Sequence, residues 1–255
     1  MRKNWVWSAG CVLLVCLLVS CTTRNLEKDK NIAEKTRMLG EAYLREQHYT
    51  PALEAFLKAE ALYPDDHLLH DDLGLVYLAK GKYELAIRHF KKALELEDDY
   101  TPARNNLGNA YAASQDWDKA IEQYKIASSN MLYATPYYPL SNLGFVYYQK
   151  KEYDLSEEYY LKALKVRRDF VVALQGLAKT YMATGRVSEA IARLEKAAEI
   201  SPDSASVYFE LANAYSLNRD YQKAYTAYQK VIALDPDSPL ADRAKEEAQK
   251  VEKRY

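Results

Sequence analysis

Residues 73 to 108 read LGLVYLAKGKYELAIRHFKKALELEDDYTPARNNLG, and this stretch begins and ends on the same Leu-Gly pair. Equivalent pairs of Leu and a small residue recur along the chain in steps of 34, 34, 36, 34 and 34 residues. A fixed period of this length is the sequence signature of a repeat architecture. The six pairs are Leu39-Gly40, Leu73-Gly74, Leu107-Gly108, Leu143-Gly144, Leu177-Ala178 and Leu211-Ala212.

Four further columns keep the same register. One holds Tyr from Tyr43 to Tyr215, and the others hold a small residue, a bulky residue and a second small residue, starting at Ala52, Phe56 and Ala59. These columns resemble the tetratricopeptide repeat, a pair of antiparallel helices. The resemblance implies an all-α fold, a right-handed α-solenoid of six helix-turn-helix repeats with a C-terminal capping helix. Each hairpin has an apolar face that it buries only by stacking on its neighbours.

The register predicts the boundaries of the repeats and of the helix that follows them. The small residues of the Leu-Gly pairs are expected to let the two helices of a hairpin approach closely. Hydroxyl N-caps are predicted at Thr50, Thr101 and Ser238, each followed by a Pro at the first helical position. The capping helix should bury Leu240, Ala244 and Val251. The predicted repeats are 33–66, 67–100, 101–136, 137–170, 171–204 and 205–238, and the capping helix is 239–255.

Residues 1–20 have the anatomy of a signal peptide, with a basic start, an apolar run and a small-residue junction. The sequence Leu18-Val19-Ser20-Cys21 resembles the bacterial lipobox, which implies cleavage before Cys21 and its lipidation. A polar linker then extends over residues 21–32. In Gram-negative lipoproteins, Thr22 after the lipidated Cys implies the outer membrane, so we expect a lipid-anchored protein on its periplasmic face. The alternative is an ordinary Cys21 beside a simple cleavage site or an uncleaved anchor.

The charge balance argues against a nucleic-acid partner. Lys and Arg total 35 against 36 Asp and Glu, and no basic block stands out. Phosphate contacts from such a block supply most nucleic-acid affinity, so we expect membrane attachment through lipid and a protein partner, with no nucleic acid.

Residues for catalysis or for cofactor binding are not apparent in the sequence. The glycines follow the repeat, and none belongs to a phosphate-binding loop. Only His67 and His70, followed by two Asp, suggest a metal, and no further ligands appear at a recognised spacing. We therefore predict no enzyme activity, no cofactor, no metal and no small-molecule substrate.

The predicted binding site is the groove lined by the first helix of each repeat. In the family, residues next to the Leu-Gly pair point into this groove, and Asn there holds an extended peptide backbone, as Asn106 and Asn142 would do here. Local capping by these Asn side chains is the equally weighted alternative. The family's carboxylate clamp needs Lys and Arg in the groove. Arg37 is present, but Glu41, Asp72 and Pro102 occupy other clamp positions, so the clamp is not expected. The groove residues are Leu75, Leu78, Asn106, Asn109, Tyr138, Asn142, Phe145, Tyr148, Lys179 and Met182.

The 36-residue step places a loop before Asn142-Leu143-Gly144, and Met131, Leu132 and Tyr133 are predicted contacts in it. A tolerated insertion is the alternative interpretation. Lipobox, six repeats and this loop together resemble the type IV pilus pilotin lipoproteins. That resemblance implies a scaffold that assists pilus biogenesis by localising or assembling a secretin. The second hypothesis is a general periplasmic adaptor that recruits cell-wall hydrolases, proteases or outer-membrane assembly components.

Overall fold

The computed structural model describes residues 6 to 254, with side chains described from Leu26 onward. This part of the chain contains thirteen α-helices and no strand, which confirms the all-α repeat fold. The helices are α1 (Val6–Arg45), α2 (Tyr49–Leu62), α3 (His67–Ala79), α4 (Tyr83–Leu96), α5 (Thr101–Ala113), α6 (Trp117–Ser129), α7 (Tyr137–Gln149), α8 (Tyr153–Val166), α9 (Val171–Ala183), α10 (Val187–Ile200), α11 (Ala205–Leu217), α12 (Tyr221–Leu234) and α13 (Pro239–Glu252).

The chain divides into two compact units, Met1–Ser114 and Gln115–Tyr255. In the first unit α1 packs on α2, α3 packs on α4, and α5 lies against α3 and α4. Its core contains Phe56, Leu69, Leu73 and Val76, all nearly inaccessible to solvent. Each apolar face is thus covered by the next helix pair, as stacked repeats require.

The second unit repeats the same packing from α6 to α13. Hairpins α7–α8, α9–α10 and α11–α12 stack in chain order, and α13 covers α12. The predicted capping stripe is confirmed, since Ala244 and Val251 are buried and Leu240 packs partly buried against the same core. The core side chains include Leu174, Leu177, Leu194 and Tyr228.

Glycines set the distance between the two helices of a hairpin, as predicted. A Cβ on Gly74 would lie 2.4 Å from the Phe90 ring, and one on Gly144 would lie 2.8 Å from the Tyr160 ring. Such distances are well below van der Waals contact, so a methyl group would push the helices apart.

The turn between the helices of each hairpin uses a left-handed residue at one fixed position. Gly81 and Gly185 adopt φ of 68° and 78° there. Four non-glycine residues adopt the same conformation at the equivalent positions of the other repeats. They are Gln47, Gln115, Lys151 and Arg219, with φ between 61° and 64°.

One of the three predicted hydroxyl caps is present, and two predictions are wrong. The Ser238 hydroxyl accepts a hydrogen bond from the Ala241 amide at 3.1 Å. Thr50 lies inside α2, whose first bond already runs from the Ala52 amide to the His48 carbonyl. Thr101 likewise begins α5 and its hydroxyl donates to the Asp99 carbonyl at 3.3 Å. The helix α2 therefore starts two residues earlier, and α5 one residue earlier, than a Thr cap would require.

Residues 6–20 of the predicted leader fall in α1, and residues 1–5 lie outside the described part of the chain. The leader's side chains, including those of the lipobox and Cys21, lie outside the residues whose side chains are described. Within the described part of the chain, no helix combines the length and the apolar character that a membrane crossing needs.

Candidate functional site

The clearest site in the second unit is a pocket between one face of α7 and one face of α9. Asn142, Phe145 and Gln149 are spaced three or four residues apart on α7, so their side chains share a face. The pocket has a volume of about 460 Å³. Its lining consists of Ser141, Asn142, Phe145, Tyr148, Gln149, Tyr160, Val172, Gln175, Gly176 and Lys179.

Large apolar side chains in this pocket are exposed to solvent. Phe145 is 44% exposed and Val172 is 59% exposed, and each lines the pocket from one of its two helices. Exposed apolar surface that lies beside polar amides is typical of a protein-binding site. Four predicted groove residues, Asn142, Phe145, Tyr148 and Lys179, are therefore brought together here.

The charged end of the pocket is a partly buried ion pair. The Lys179 Nζ atom lies 2.8 Å from Glu210 Oε1, and the Glu210 side chain is only 16% exposed. The second carboxylate oxygen, Glu210 Oε2, is buried and has no hydrogen-bond partner among the described residues. A buried acceptor without a partner costs about 1–3 kcal/mol.

Tyr138 belongs to an aromatic cluster at the start of α7. Its ring lies 4.6 Å from that of Tyr137 and 5.3 Å from that of Phe170, measured between centroids. Arg167 stacks over Tyr137 at 5.0 Å and donates to its hydroxyl at 2.9 Å. Tyr138 is 43% exposed, and it follows the same helix face as Asn142 and Phe145. Burial and the neighbouring Tyr137 raise the pKa of Tyr138.

The remaining predicted groove residues do not line this pocket. Met182 is half-buried against the core of the second unit. In the first unit, Leu75, Leu78 and Asn109 are also half-buried. The Asn106 side-chain amide donates to Asp71 Oδ1 at 3.0 Å, so its donor is engaged within the protein.

Around Arg37 the first unit gathers three carboxylates. Arg37 forms ion pairs with Glu41, with Asp72 at 3.1 Å and with Asp66 at 3.4 Å. The charge of this arginine is thus balanced within the fold by three carboxylates. Burial raises the pKa of Asp72 to about 7, although the bond from Arg37 opposes the shift.

Asp71 lies next to this cluster and is almost inaccessible. Burial raises the pKa of Asp71 to about 6, and the bond from Asn106 opposes the rise.

The loop between α6 and α7 presents two apolar side chains to solvent. Met131 is 98% exposed and Leu132 is 94% exposed, whereas Tyr133 is half-buried. The loop is ordered by Asn130, whose side chain accepts from the Leu132 amide at 2.9 Å and whose carbonyl accepts from the Tyr133 amide at 3.2 Å. The turn therefore holds Met131 and Leu132 outward.

The structure pairs His70 with His89 instead of with His67. His70 Nδ1 lies 3.1 Å from His89 Nδ1, while the His67 ring contacts Tyr100 edge-on at 4.9 Å. Burial, followed by His70 and Arg88, lowers the pKa of His89 to about 4. The pairing was not evident from the sequence because the two residues are 19 positions apart on different helices.

Family models for the tetratricopeptide repeat match residues 74–115, 103–129, 139–170, 178–218 and 205–238. Together these matches span more than half of the chain. The chain belongs to the tetratricopeptide-repeat family. The structure shows the features that the repeat predicts: paired helices, close contacts at small residues and a terminal helix that covers the last pair.

Solved structures similar to this one include two pilus proteins. The first is described as PilW, a widely conserved type IV pilus biogenesis factor, with a TM-score of 0.75 and 21% identity over 83% of this chain and 97% of that one. The second is PilF of Pseudomonas aeruginosa, with a TM-score of 0.71 and 20% identity over 86% of this chain and 99% of that one. At these identities, the likeness shows a shared fold.

Among curated proteins, subunit 3 of the anaphase-promoting complex of Schizosaccharomyces pombe is 32% identical over 98 residues. The match covers 38% of this chain and 15% of that protein, so this chain spans a small part of that relative's length.

Proposed function

We propose that this chain is an outer-membrane lipoprotein of the periplasm that binds a protein partner in the α7–α9 pocket and assists type IV pilus biogenesis. Its partner would be a secretin subunit, which it helps to localise or assemble. The observation that carries the proposal is the exposed apolar pair Phe145 and Val172 in a pocket edged by amides and an ion pair.

The chemistry of this pocket suits a peptide segment. Phe145 and Val172 offer apolar surface for a side chain of the partner. Asn142 and Gln175 carry amides, which both donate and accept and therefore match the polar groups of a peptide backbone. Lys179, which is paired with Glu210, adds a positive charge to the pocket lining. Binding would thus combine side-chain burial with backbone hydrogen bonds.

Two further features support the pilus assignment. The structural likeness covers 97% of the PilW chain and 99% of the PilF chain. It therefore includes nearly all the repeats of those two proteins. The ordered loop with exposed Met131 and Leu132 adds a second apolar contact of the kind that anchors interfaces.

The anchor is a separate part of the proposal and has its own test. A lipid on Cys21 with more than one acyl chain is sufficient for stable attachment. Cys21→Ser should release the protein from membranes and remove acyl modification detected by mass spectrometry. Retention of the variant at the membrane would contradict lipidation.

The partner is tested by deleting the gene and measuring secretin multimers that resist heat and detergent. We expect the multimers to be lost, to return with the wild-type chain and with Leu161→Ala, and to stay absent with Phe145→Ala. Leu161 is a matched control because it is 41% exposed on α8, outside the pocket. Unchanged multimers in the deletion strain would overturn the secretin assignment.

A general periplasmic adaptor is the competing function. It is favoured because proteins of similar fold include both pilus biogenesis factors and a subunit of the anaphase-promoting complex. Crosslinking in intact cells from a photoreactive residue at position 145 separates the two. Capture of a secretin supports the pilus role, whereas capture of cell-wall hydrolases, proteases or outer-membrane assembly components without secretin supports the adaptor.

A further inference from the structure

Three side chains with metal-binding donors meet in the first unit, away from the α7–α9 pocket. Glu60 comes from α2, His70 from α3 and His89 from α4. Their donor atoms all lie within 4.8 Å of one another. The His70 and His89 Nδ1 atoms are 3.1 Å apart, and Glu60 Oε1 is 3.8 Å from His70 Nδ1.

The position of the proton on His70 follows from its second ring nitrogen. His70 Nε2 lies 2.8 Å from the Pro64 carbonyl oxygen, and a carbonyl only accepts, so Nε2 carries the proton. In the neutral ring, Nδ1 then holds a lone pair directed at the cluster. Histidines that bind metals commonly donate their other N–H to a carbonyl in this way, which fixes the tautomer and the orientation of the ring.

His89 is also held in place. Its ring stacks on Tyr77 with a centroid separation of 5.2 Å and an interplanar angle of 21°. His70 is only 4% exposed, and Glu60 is half-buried, with 30% of its side chain accessible. The cluster therefore combines two oriented imidazoles with a carboxylate that retains some freedom to move.

We propose that Glu60, His70 and His89 form a binding site for a divalent transition metal ion of the zinc class. Two imidazole nitrogens and one carboxylate oxygen are a recognised ligand set for Zn²⁺, with water in the fourth position. Ligands about 2.0–2.1 Å from a tetrahedral ion are separated by about 3.3 Å. The Nδ1 separation is close to this value, and a small rotation of Glu60 brings its oxygen into range.

Metal binding requires no net loss of a proton from the histidines. Without metal, His89 Nδ1–H donates to His70 Nδ1 and accounts for their close approach. With metal, the His89 proton moves to its Nε2 and both Nδ1 lone pairs face the ion. The site joins the second helix of the first repeat to both helices of the second, so its expected role is to fasten these repeats together.

The test uses the full chain, purified in detergent without a histidine tag and stripped of metal with a chelator. Zn²⁺ uptake is measured by equilibrium dialysis with elemental analysis, and Co²⁺ is used as a spectroscopic probe of coordination. We expect one Zn²⁺ per chain, a tetrahedral Co²⁺ spectrum and a rise in the thermal midpoint on adding Zn²⁺.

Glu60→Gln and His89→Ala should each weaken Zn²⁺ binding at least tenfold, whereas His67→Ala and His48→Ala should leave it unchanged. Circular dichroism of the metal-free variants checks that they fold. Absence of stoichiometric uptake would overturn the proposal and leave the two histidines as a hydrogen-bonded pair. Uptake that survives His89→Ala would also overturn it, because the ion would then be bound elsewhere.

Discussion

The ring of Tyr160 lies directly against the Cα atom of Gly176 in the following repeat. A Cβ added to Gly176 would come within 2.2 Å of the ring, and one added to Gly144 on the opposite side within 2.8 Å. One aromatic ring thus fills the space between the first helices of two consecutive repeats, and both helices need glycine to admit it. Tyr160 also lines the pocket, so this packing sets the separation of α7 and α9.

Gly176→Ala should therefore destabilise the second unit. Overpacking of this kind costs about 1–3 kcal/mol, and we expect a loss of about 2 kcal/mol in the free energy of unfolding, measured by urea denaturation. Tyr160→Leu removes the ring and should suppress most of the cost when the two changes are combined. Strict additivity of the two effects would contradict direct packing between these residues.

Replacing left-handed residues in the hairpin turns by glycine should stabilise the protein. Lys151 has a φ of 61° where Gly81 and Gly185 occupy the equivalent positions. A non-glycine residue in this conformation costs about 1–2 kcal/mol, and glycine offsets part of this through its larger entropy loss. We expect Lys151→Gly and Gln47→Gly each to raise the free energy of unfolding by about 0.5–1 kcal/mol.

The matched control for the turns is Gly81→Ala. The added Cβ would meet no neighbouring atom within 4 Å, so the change in stability reports backbone strain, offset in part by the smaller entropy loss of alanine, without a steric clash. We expect a loss of about 1 kcal/mol, and an unchanged thermal midpoint would show that the turn relaxes freely.

The pKa of Asp71 gives stability a defined pH dependence. Burial raises this pKa to about 6, against about 3.9 in an unfolded chain. Between these values the folded state keeps a proton that the unfolded state has lost. The contribution of Asp71 to stability is therefore present below about pH 4 and is lost as pH rises through 6.

Asp71→Asn should remove this dependence while it keeps an oxygen that accepts from Asn106. Relative to wild type, the variant should gain on the order of 2 kcal/mol in the free energy of unfolding between pH 4 and pH 8. The comparison with wild type matters because the lowered pKa of His89 acts in the opposite direction. Asp203→Asn, on an exposed loop, is the control, and an equal gain there would contradict the assignment to Asp71.

The fold could be predicted from the repeat register because the residues of each column make the same packing contact in successive repeats. Gly74 admits Phe90, and Leu73 is fully buried in a core that it shares with Ala52 and Phe56 of the preceding helix pair. Leu39 occupies the same column as Leu73 and is nevertheless 51% exposed. Among the described residues no helix pair precedes α1, so no neighbouring repeat covers Leu39. The periodicity of the sequence predicts which residues are equivalent, but burial also requires a preceding repeat.

The candidate sites were predicted less completely, since they depend on contacts between helices. The helical face containing Asn142 and Phe145 was predicted from the resemblance to the repeat family, in which residues beside the Leu-Gly pair line the groove. The ion pair of Lys179 with Glu210 and the approach of His70 to His89 join residues 31 and 19 positions apart. The predictions of N-caps at Thr50 and Thr101 were wrong. A hydroxyl residue before Pro caps a helix only when the preceding backbone is not helical, and here the helices begin at or before these residues.

The loop tip offers a test of partner binding with little effect on folding. Met131 and Leu132 are almost fully exposed, so replacing both by Ser removes no buried contact and should change the free energy of unfolding by less than about 0.5 kcal/mol. If the tip contacts the partner, the same double change should reduce crosslinking or co-purification at least tenfold. Leu217→Ser, a 61% exposed residue at the end of α11, should leave both properties unchanged. Full partner recovery by the Met131 and Leu132 variant would restrict the interface to the α7–α9 pocket, and equal loss with Leu217→Ser would indicate a nonspecific apolar effect.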